Sequence, residues 1–91
     1  MYYLLISPQQ YIIMKLLVRN LPRTTTEKDI LVLFSAQGEV AECTLVLDQV
    51  SGLSKGFAFV EMPNEDEANA ALASLHHATI VENKIRVKIA D

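Results

Sequence analysis

The spacing of apolar residues changes repeatedly along this 91-residue chain, and the order of those changes restricts the fold. Apolar residues two positions apart are typical of strands, whereas residues three and four positions apart are typical of helices. The spacing predicts strands near 15–20, 39–48, 54–62 and 84–90, with helices within 24–38 and 67–77. The predicted order is therefore strand, helix, strand, strand, helix, strand.

Two helices in this order, packed on the same side, cover only one face of a four-stranded antiparallel sheet. We therefore expect an α+β, ferredoxin-like β-α-β-β-α-β sandwich with one open sheet face. Gly38 is expected to end the first helix. Inward stripes are Ile30, Leu33 and Phe34 in the first helix and Ala68, Ala71, Leu72 and Leu75 in the second. The predicted N-caps are Thr26 with Asp29, or Thr24 with Glu27 in a competing register, and then Asn64 with Glu67.

The third predicted strand, SKGFAFVEM at 54–62, has one unusual face. Strand alternation directs Ala58, Val60 and Met62 toward the core. Its other face carries Lys55, Phe57, Phe59 and Glu61. Burial of that face would desolvate two charges, whereas exposure leaves two rings in water. We therefore expect this side on the open face of the sheet.

The same alternation assigns further residues to each face. The predicted open-face residues are Leu17, Arg19, Glu42, Thr44, Val46, Arg86 and Lys88. The predicted inward residues are Val40, Cys43, Leu45, Leu47, Ile85, Val87 and Ile89. The chain has a net charge of −3, so bulk electrostatics do not favour nucleic-acid binding. The open face is nevertheless locally basic, and exposed rings beside cations are suited to stacking on unpaired bases.

The N-terminal segment, the single cysteine and the two histidines indicate no further site. Residues 1–13 are apolar but have no basic start or cleavage site, and Ser7-Pro8 interrupts them, so neither a signal peptide nor a membrane anchor is expected. They are expected to be an extension or an upstream reading of the start codon, with an extra strand or a loose tail on the domain as the alternative, and one compact domain is predicted over 14–91. The single Cys43 suits a reducing cytoplasm. With His76 and His77 it has no zinc-like spacing; these histidines are expected at the surface after the second helix.

Two segments resemble signatures of the RNA recognition motif family. KGFAFVEM, residues 55–62, is similar to the eight-residue signature at seven positions and departs at Met62. LLVRNL, residues 16–21, resembles the six-residue signature of the first strand. VSGLSKGF and NKIRVKIAD resemble flanking segments, so the likeness covers roughly residues 14–90.

The resemblance implies a role for each matching position. Phe57 and Phe59 would stack on bases, and Lys55 would contact the nucleic-acid backbone. Leu17 stands where the family usually has another stacking ring, so that position has no ring in this sequence. Arg19 and Asn20 lie near the same surface. With Thr44, Glu61, Arg86 and Lys88, these residues form the predicted site.

The sequence predicts weak, salt-sensitive binding of a monomer to single-stranded RNA, micromolar or poorer, since the chain ends directly after the last strand. The alternative is a protein–protein interaction module on the same fold. An enzyme is not expected, because the glycine-rich phosphate loop of the similarly folded acylphosphatases is missing and no nucleophile–base pair can be proposed. Neither a cofactor nor a metal is implied.

Overall fold

The structure, a computed structural model, describes residues 13–90. The predicted extension therefore lies outside the described residues, apart from Ile13. The elements are β1 (Met14–Arg19), α1 (Glu27–Ser35), β2 (Glu42–Leu47), β3 (Ser54–Met62), α2 (Glu65–Leu75), β4 (Thr79–Ile80), β5 (Asn83–Lys84) and β6 (Arg86–Ile89). Four strands form an antiparallel sheet in the order β2-β3-β1-β6, and β4 pairs with β5 in a separate hairpin.

Both helices pack on one face of the four-stranded sheet, which confirms the predicted sandwich. Alternate residues of β1 and β3 are buried against them, among them Leu16, Val18 and Val60. Ile30 and Phe34 of α1 belong to the same core, as do the small residues of α2, Ala68 and Ala71. The small side chains let α2 lie close to the sheet. No helix within residues 13–90 is long and apolar enough to cross a membrane.

The first helix begins as predicted but ends earlier than predicted. The Asp29 amide donates to the Thr26 hydroxyl, and the Thr26 amide donates to the Asp29 carboxylate. The same bonds lower the pKa of Asp29. This reciprocal capping box makes the competing Thr24 register wrong. The helix ends at Ser35 with an ordinary right-handed C-cap at Ala36, so Gly38 is not its stop.

Gly38 instead provides space for a side chain of the second helix. A Cβ at Gly38 would collide with the Glu67 side chain. The Glu67 carboxylate accepts a hydrogen bond of 2.8 Å from the Glu39 amide. The Glu67 amide donates to the Asn64 side chain, which confirms the predicted N-cap. Glu67 thus connects the first turn of α2 to the segment before β2.

Two residues predicted to point inward are exposed. Leu47 is 49% exposed, because the β2–β3 register shifts between Leu45 and Leu47 and breaks the alternation. Ile89 is 44% exposed, at the end of an outer strand with a neighbour on one side only. The predicted inward positions Cys43 and Leu45 do pack against the core.

On each outer strand of the sheet, one backbone amide donates a hydrogen bond to a side chain from the helix side. The Leu45 amide of β2 donates to the Glu27 carboxylate at 2.8 Å. The Val87 amide of β6 donates to Nδ1 of His76 at 3.0 Å. His76 is therefore more than the surface residue that the sequence suggested. Each bond occupies one edge amide that a further strand would otherwise use for pairing.

Candidate functional site

The open face of the sheet has a central row that crosses all four strands. Thr44 of β2 lies opposite Phe59 of β3, Phe59 lies opposite Leu17 of β1, and Leu17 lies opposite Lys88 of β6. All four residues were predicted to share this face, and the structure brings them together. The row presents a hydroxyl, a ring, an aliphatic side chain and a cation, in that order.

Phe57 and Phe59 are the only rings that β3 directs to this face. Their centroids are 6.2 Å apart, and the ring planes meet at 84°. Both rings are half-buried, whereas the intervening Ala58 is fully buried on the opposite side. Edge-to-face contact of this kind stabilises the pair. Each ring therefore keeps surface available for another flat group.

Lys15 also lies on this face, although it was not among the predicted open-face residues. Its Nζ lies 5.0 Å from the centroid of the Phe59 ring, within cation–π range. Lys15 also pairs across the strands with Glu61. The alternation that assigned Leu17 and Arg19 to this face includes Lys15, so the signal was present. A group that stacks fully on Phe59 has to displace the ammonium.

One end of the face, next to the central row, is acidic. Glu42 of β2 lies directly opposite Glu61 of β3, and Lys15 lies on the other side of Glu61. Directly opposed like charges destabilise a strand pair. Two carboxylates and one ammonium make this end unfavourable for a phosphate.

The other end of the face is basic. Arg19 of β1 lies directly opposite Arg86 of β6, and both are exposed. Beside them is a cavity of about 570 Å³ that extends from the end of β1 to the start of β3. Its lining includes four of the predicted site residues, Arg19, Asn20, Lys55 and Phe57, together with Arg23.

Arg23, in the loop after β1, was not predicted as a site residue. Its Nη1 donates to the carbonyl oxygen of Ser54 at 3.3 Å. The side chain crosses Gly56, where an added Cβ would lie 2.8 Å from the Arg23 Nε. Gly56 has a φ of 85°, a backbone conformation that favours glycine. The absence of a side chain at Gly56 therefore permits Arg23 to reach the cavity.

Asn20 has a structural contact that the sequence did not indicate. Its backbone has a φ of 62°, and its side-chain amide donates to the Lys84 carbonyl at 2.9 Å. The Asn83 side chain donates in return to the Asn20 carbonyl at 3.1 Å. This reciprocal pair fixes the end of β1 to the β4–β5 hairpin. Asn20 and Asn83 both line the cavity.

The remaining reactive side chain lies away from this face. Cys43 packs partly against the core, and its thiol donates to the Glu27 carbonyl at 3.8 Å. Burial, with a smaller effect of the Glu27 charge, raises the pKa of Cys43 to about 11. The thiol is therefore protonated at neutral pH. Within residues 13–90, no three His, Cys, Asp or Glu side chains are grouped closely enough to hold a metal ion.

Comparison with known proteins connects this geometry to a family. The family model described as the RNA recognition motif matches residues 16–86. The chloroplastic RNA-binding protein CP31B of Arabidopsis thaliana is 36% identical over 77 residues, which are 85% of this chain and 27% of that protein. The chloroplastic 28 kDa ribonucleoprotein of Spinacia oleracea is 38% identical over 74 residues, which are 81% of this chain and 32% of that protein. The chain thus spans about a third or less of these two relatives.

Solved structures are similar over nearly the same region. The RNA-binding protein PG1 superposes with a TM-score of 0.82 and is 34% identical, covering 85% of this chain and 93% of that one. A Sex-lethal protein in complex with RNA gives the same TM-score of 0.82 at 30% identity, covering 85% of this chain and 46% of that one.

Proposed function

This chain belongs to the RNA recognition motif family, and on that premise we propose that its open sheet face binds single-stranded RNA. The observation that carries the proposal is the pair of half-buried rings, Phe57 and Phe59, beside a basic cavity. Rings in this position offer stacking surfaces to unpaired bases, and nearby cations offer contacts to phosphates. The solved complex of the Sex-lethal protein with RNA supports this class of ligand.

Each site residue has a proposed role that follows from its position. Phe57 and Phe59 stack on two bases, and Leu17 provides apolar contact to a base beside Phe59. Thr44 lies in the central row and Glu61 at the acidic end of the face. Both are placed where the edges of stacked bases would approach. The cations proposed to contact phosphates are Lys55, Arg19, Arg86 and Lys88. Asn20 acts mainly by holding the end of β1 in place.

The proposed affinity is micromolar or weaker. Stacking of a base on an aromatic side chain contributes ~1–3 kcal/mol. Two rings therefore supply roughly 2–6 kcal/mol, whereas a micromolar complex needs about 8 kcal/mol. Phosphate and base-edge contacts have to supply the remainder, and displacement of Lys15 from Phe59 reduces the net gain.

We propose a binding function without catalysis, in accord with RNA-binding relatives of the family. The protein-interaction alternative, the monomeric state and the cytoplasmic location stay predictions. The location is not favoured by the relatives, since two are named as chloroplastic and the glycine-rich RNA-binding protein 4 of Arabidopsis thaliana is named as mitochondrial.

The proposal can be tested by titration with short single-stranded RNA of mixed sequence while backbone amide shifts are recorded. We expect the largest shifts in β1 and β3, around Leu17 and Phe59, because both contribute to the central row. Val32, 61% exposed on α1, should not shift. A folded protein whose β1 and β3 amides do not move at high-micromolar RNA would contradict the proposal.

A further inference from the structure

We infer that the cavity at the basic end of the open face is a specific pocket for one RNA phosphate. Arg23 is a principal residue that binds this phosphate. This inference rests on the proposed function and sharpens it. It assigns one backbone phosphate of the bound RNA to a defined place, and it adds a phosphate-binding residue outside both signature segments.

The cavity concentrates positive charge in a concave space. Arg19, Arg23 and Lys55 contribute to its wall, and none of the described residues that line it is acidic. A second, smaller cavity of about 250 Å³ shares Arg19 and Asn20 with the first and is also lined by Arg86. Cations that converge on a concave surface raise the local concentration of an anionic ligand.

Arg23 is held in an orientation that leaves donors free. One guanidinium N–H group is used by the Ser54 carbonyl. A guanidinium has five N–H donors in a rigid planar fork, which matches the oxygens of a phosphate. The contact with Ser54 and the close approach to Gly56 restrict the side chain before any ligand arrives. Arg23 therefore loses little conformational freedom on binding.

The wall of the cavity is fixed as well. The reciprocal hydrogen bonds between Asn20 and the Asn83–Lys84 segment join the end of β1 to the hairpin. The Leu21 amide donates to the Gly56 carbonyl at 2.9 Å, which joins the following loop to the start of β3. The pocket is thus preorganised, and a preorganised site binds with less entropic cost.

The charge pattern of the face favours a phosphate here and disfavours one at the opposite end. Arg19 and Arg86 are directly opposed, and an anion between them would relieve their repulsion. The opposite end presents Glu42 and Glu61, directly opposed in the same way. Phe57 lines the pocket, so the bound phosphate belongs to the nucleotide stacked on Phe57 or to its neighbour.

The test combines a charge-removing variant with a neutral phosphate. Arg23→Gln removes the guanidinium, and Lys28→Gln removes one charge from an exposed site on α1 as the matched control. Dissociation constants are measured against salt for short single-stranded oligonucleotides. In a second series, one linkage at a time is a neutral methylphosphonate. Amide spectra confirm that each variant is folded.

We expect Arg23→Gln to weaken RNA binding roughly tenfold, because the variant loses a hydrogen bond from a charged group. It should lower the salt slope by about 0.7, the value for one phosphate contact on a single strand. Lys28→Gln should change neither quantity. In the wild type, one methylphosphonate position should weaken binding most, and that loss should largely disappear in Arg23→Gln. Arg23→Lys keeps the charge and should keep the salt slope.

Equal effects of Arg23→Gln and Lys28→Gln, with RNA still bound, would overturn the pocket and leave the proposed function intact. Methylphosphonate losses that are uniform along the strand, or unchanged in Arg23→Gln, would also overturn it. Absence of RNA binding by the wild type would instead overturn the proposed function and the pocket together.

Discussion

At the scale of single residues, Leu17 most strongly limits what the open face can bind. It occupies the centre of the face, between Phe59 on one side and Lys88 on the other. Its aliphatic side chain is half-buried and offers no π-face to a base. Two stacking rings in place of three keep the proposed affinity low.

Replacement of Leu17 by Phe should strengthen RNA binding. A ring beside Phe59 would add one stacking contact, worth ~1–3 kcal/mol, or about 5- to 150-fold in the dissociation constant. Isothermal titration of a short single-stranded RNA against Leu17→Phe and wild type would measure the change. Leu17→Ala is the control and should weaken binding only slightly. An unchanged affinity for folded Leu17→Phe would show that no base lies over this position.

The sequence predicted the sheet face of a residue correctly where strand alternation alone determines that face. Phe57, Phe59, Leu17 and Arg19 lie on the predicted face because each belongs to a regular strand. Lys15 obeys the same rule and could have been included. Arg23 could not, because its position depends on a left-handed glycine 33 residues later in the chain.

At the scale of elements, the start of β3 carries the largest local constraint. Gly56 has a φ of 85° and is buried beneath Arg23 and beside the Leu21 carbonyl. The β2–β3 loop has a second glycine in the left-handed region, Gly52, with a φ of 75°. A Cβ at Gly52 would meet nothing within 4 Å. The two glycines share a backbone requirement and differ in their surroundings.

Gly56→Ala should destabilise the protein more than Gly52→Ala. Both variants carry the cost of a left-handed alanine, about 1–2 kcal/mol. At Gly56 the new Cβ would also lie 3.3 Å from the Leu21 carbonyl oxygen, on backbone that cannot easily move. Such crowding adds about 1 kcal/mol or more. Urea unfolding measures both free energies, and equal losses would contradict the proposed packing at Gly56.

Element boundaries were less predictable than element types. The helix start at Thr26 was correct because a capping box has a local sequence signature. The outward Leu47 was not foreseen, since a register shift depends on the partner strand. The β4–β5 hairpin was missed because its strands are two residues each, too short for a periodic pattern.

At the scale of the whole molecule, an acidic protein separates its charges between two surfaces. The net charge is −3, yet cations gather at one end of the open face. Acidic residues lie in the first turn of both helices, where they interact favourably with the positive end of the helix dipole. They are Glu27 and Asp29 in α1 and Glu65, Asp66 and Glu67 in α2. Composition alone gives no indication of this separation, whereas topology combined with alternation predicted it.

The central claim is that Phe57 and Phe59 together bind RNA bases. The most direct measurement is the dissociation constant of a short single-stranded RNA for wild type, Phe57→Ala/Phe59→Ala and the control Val32→Ala. Loss of two stacking contacts, ~2–6 kcal/mol, predicts at least about a 30-fold weaker complex for the double variant. Val32→Ala, on the outer face of α1, should bind as wild type does. A folded double variant that retains wild-type affinity would contradict the claim.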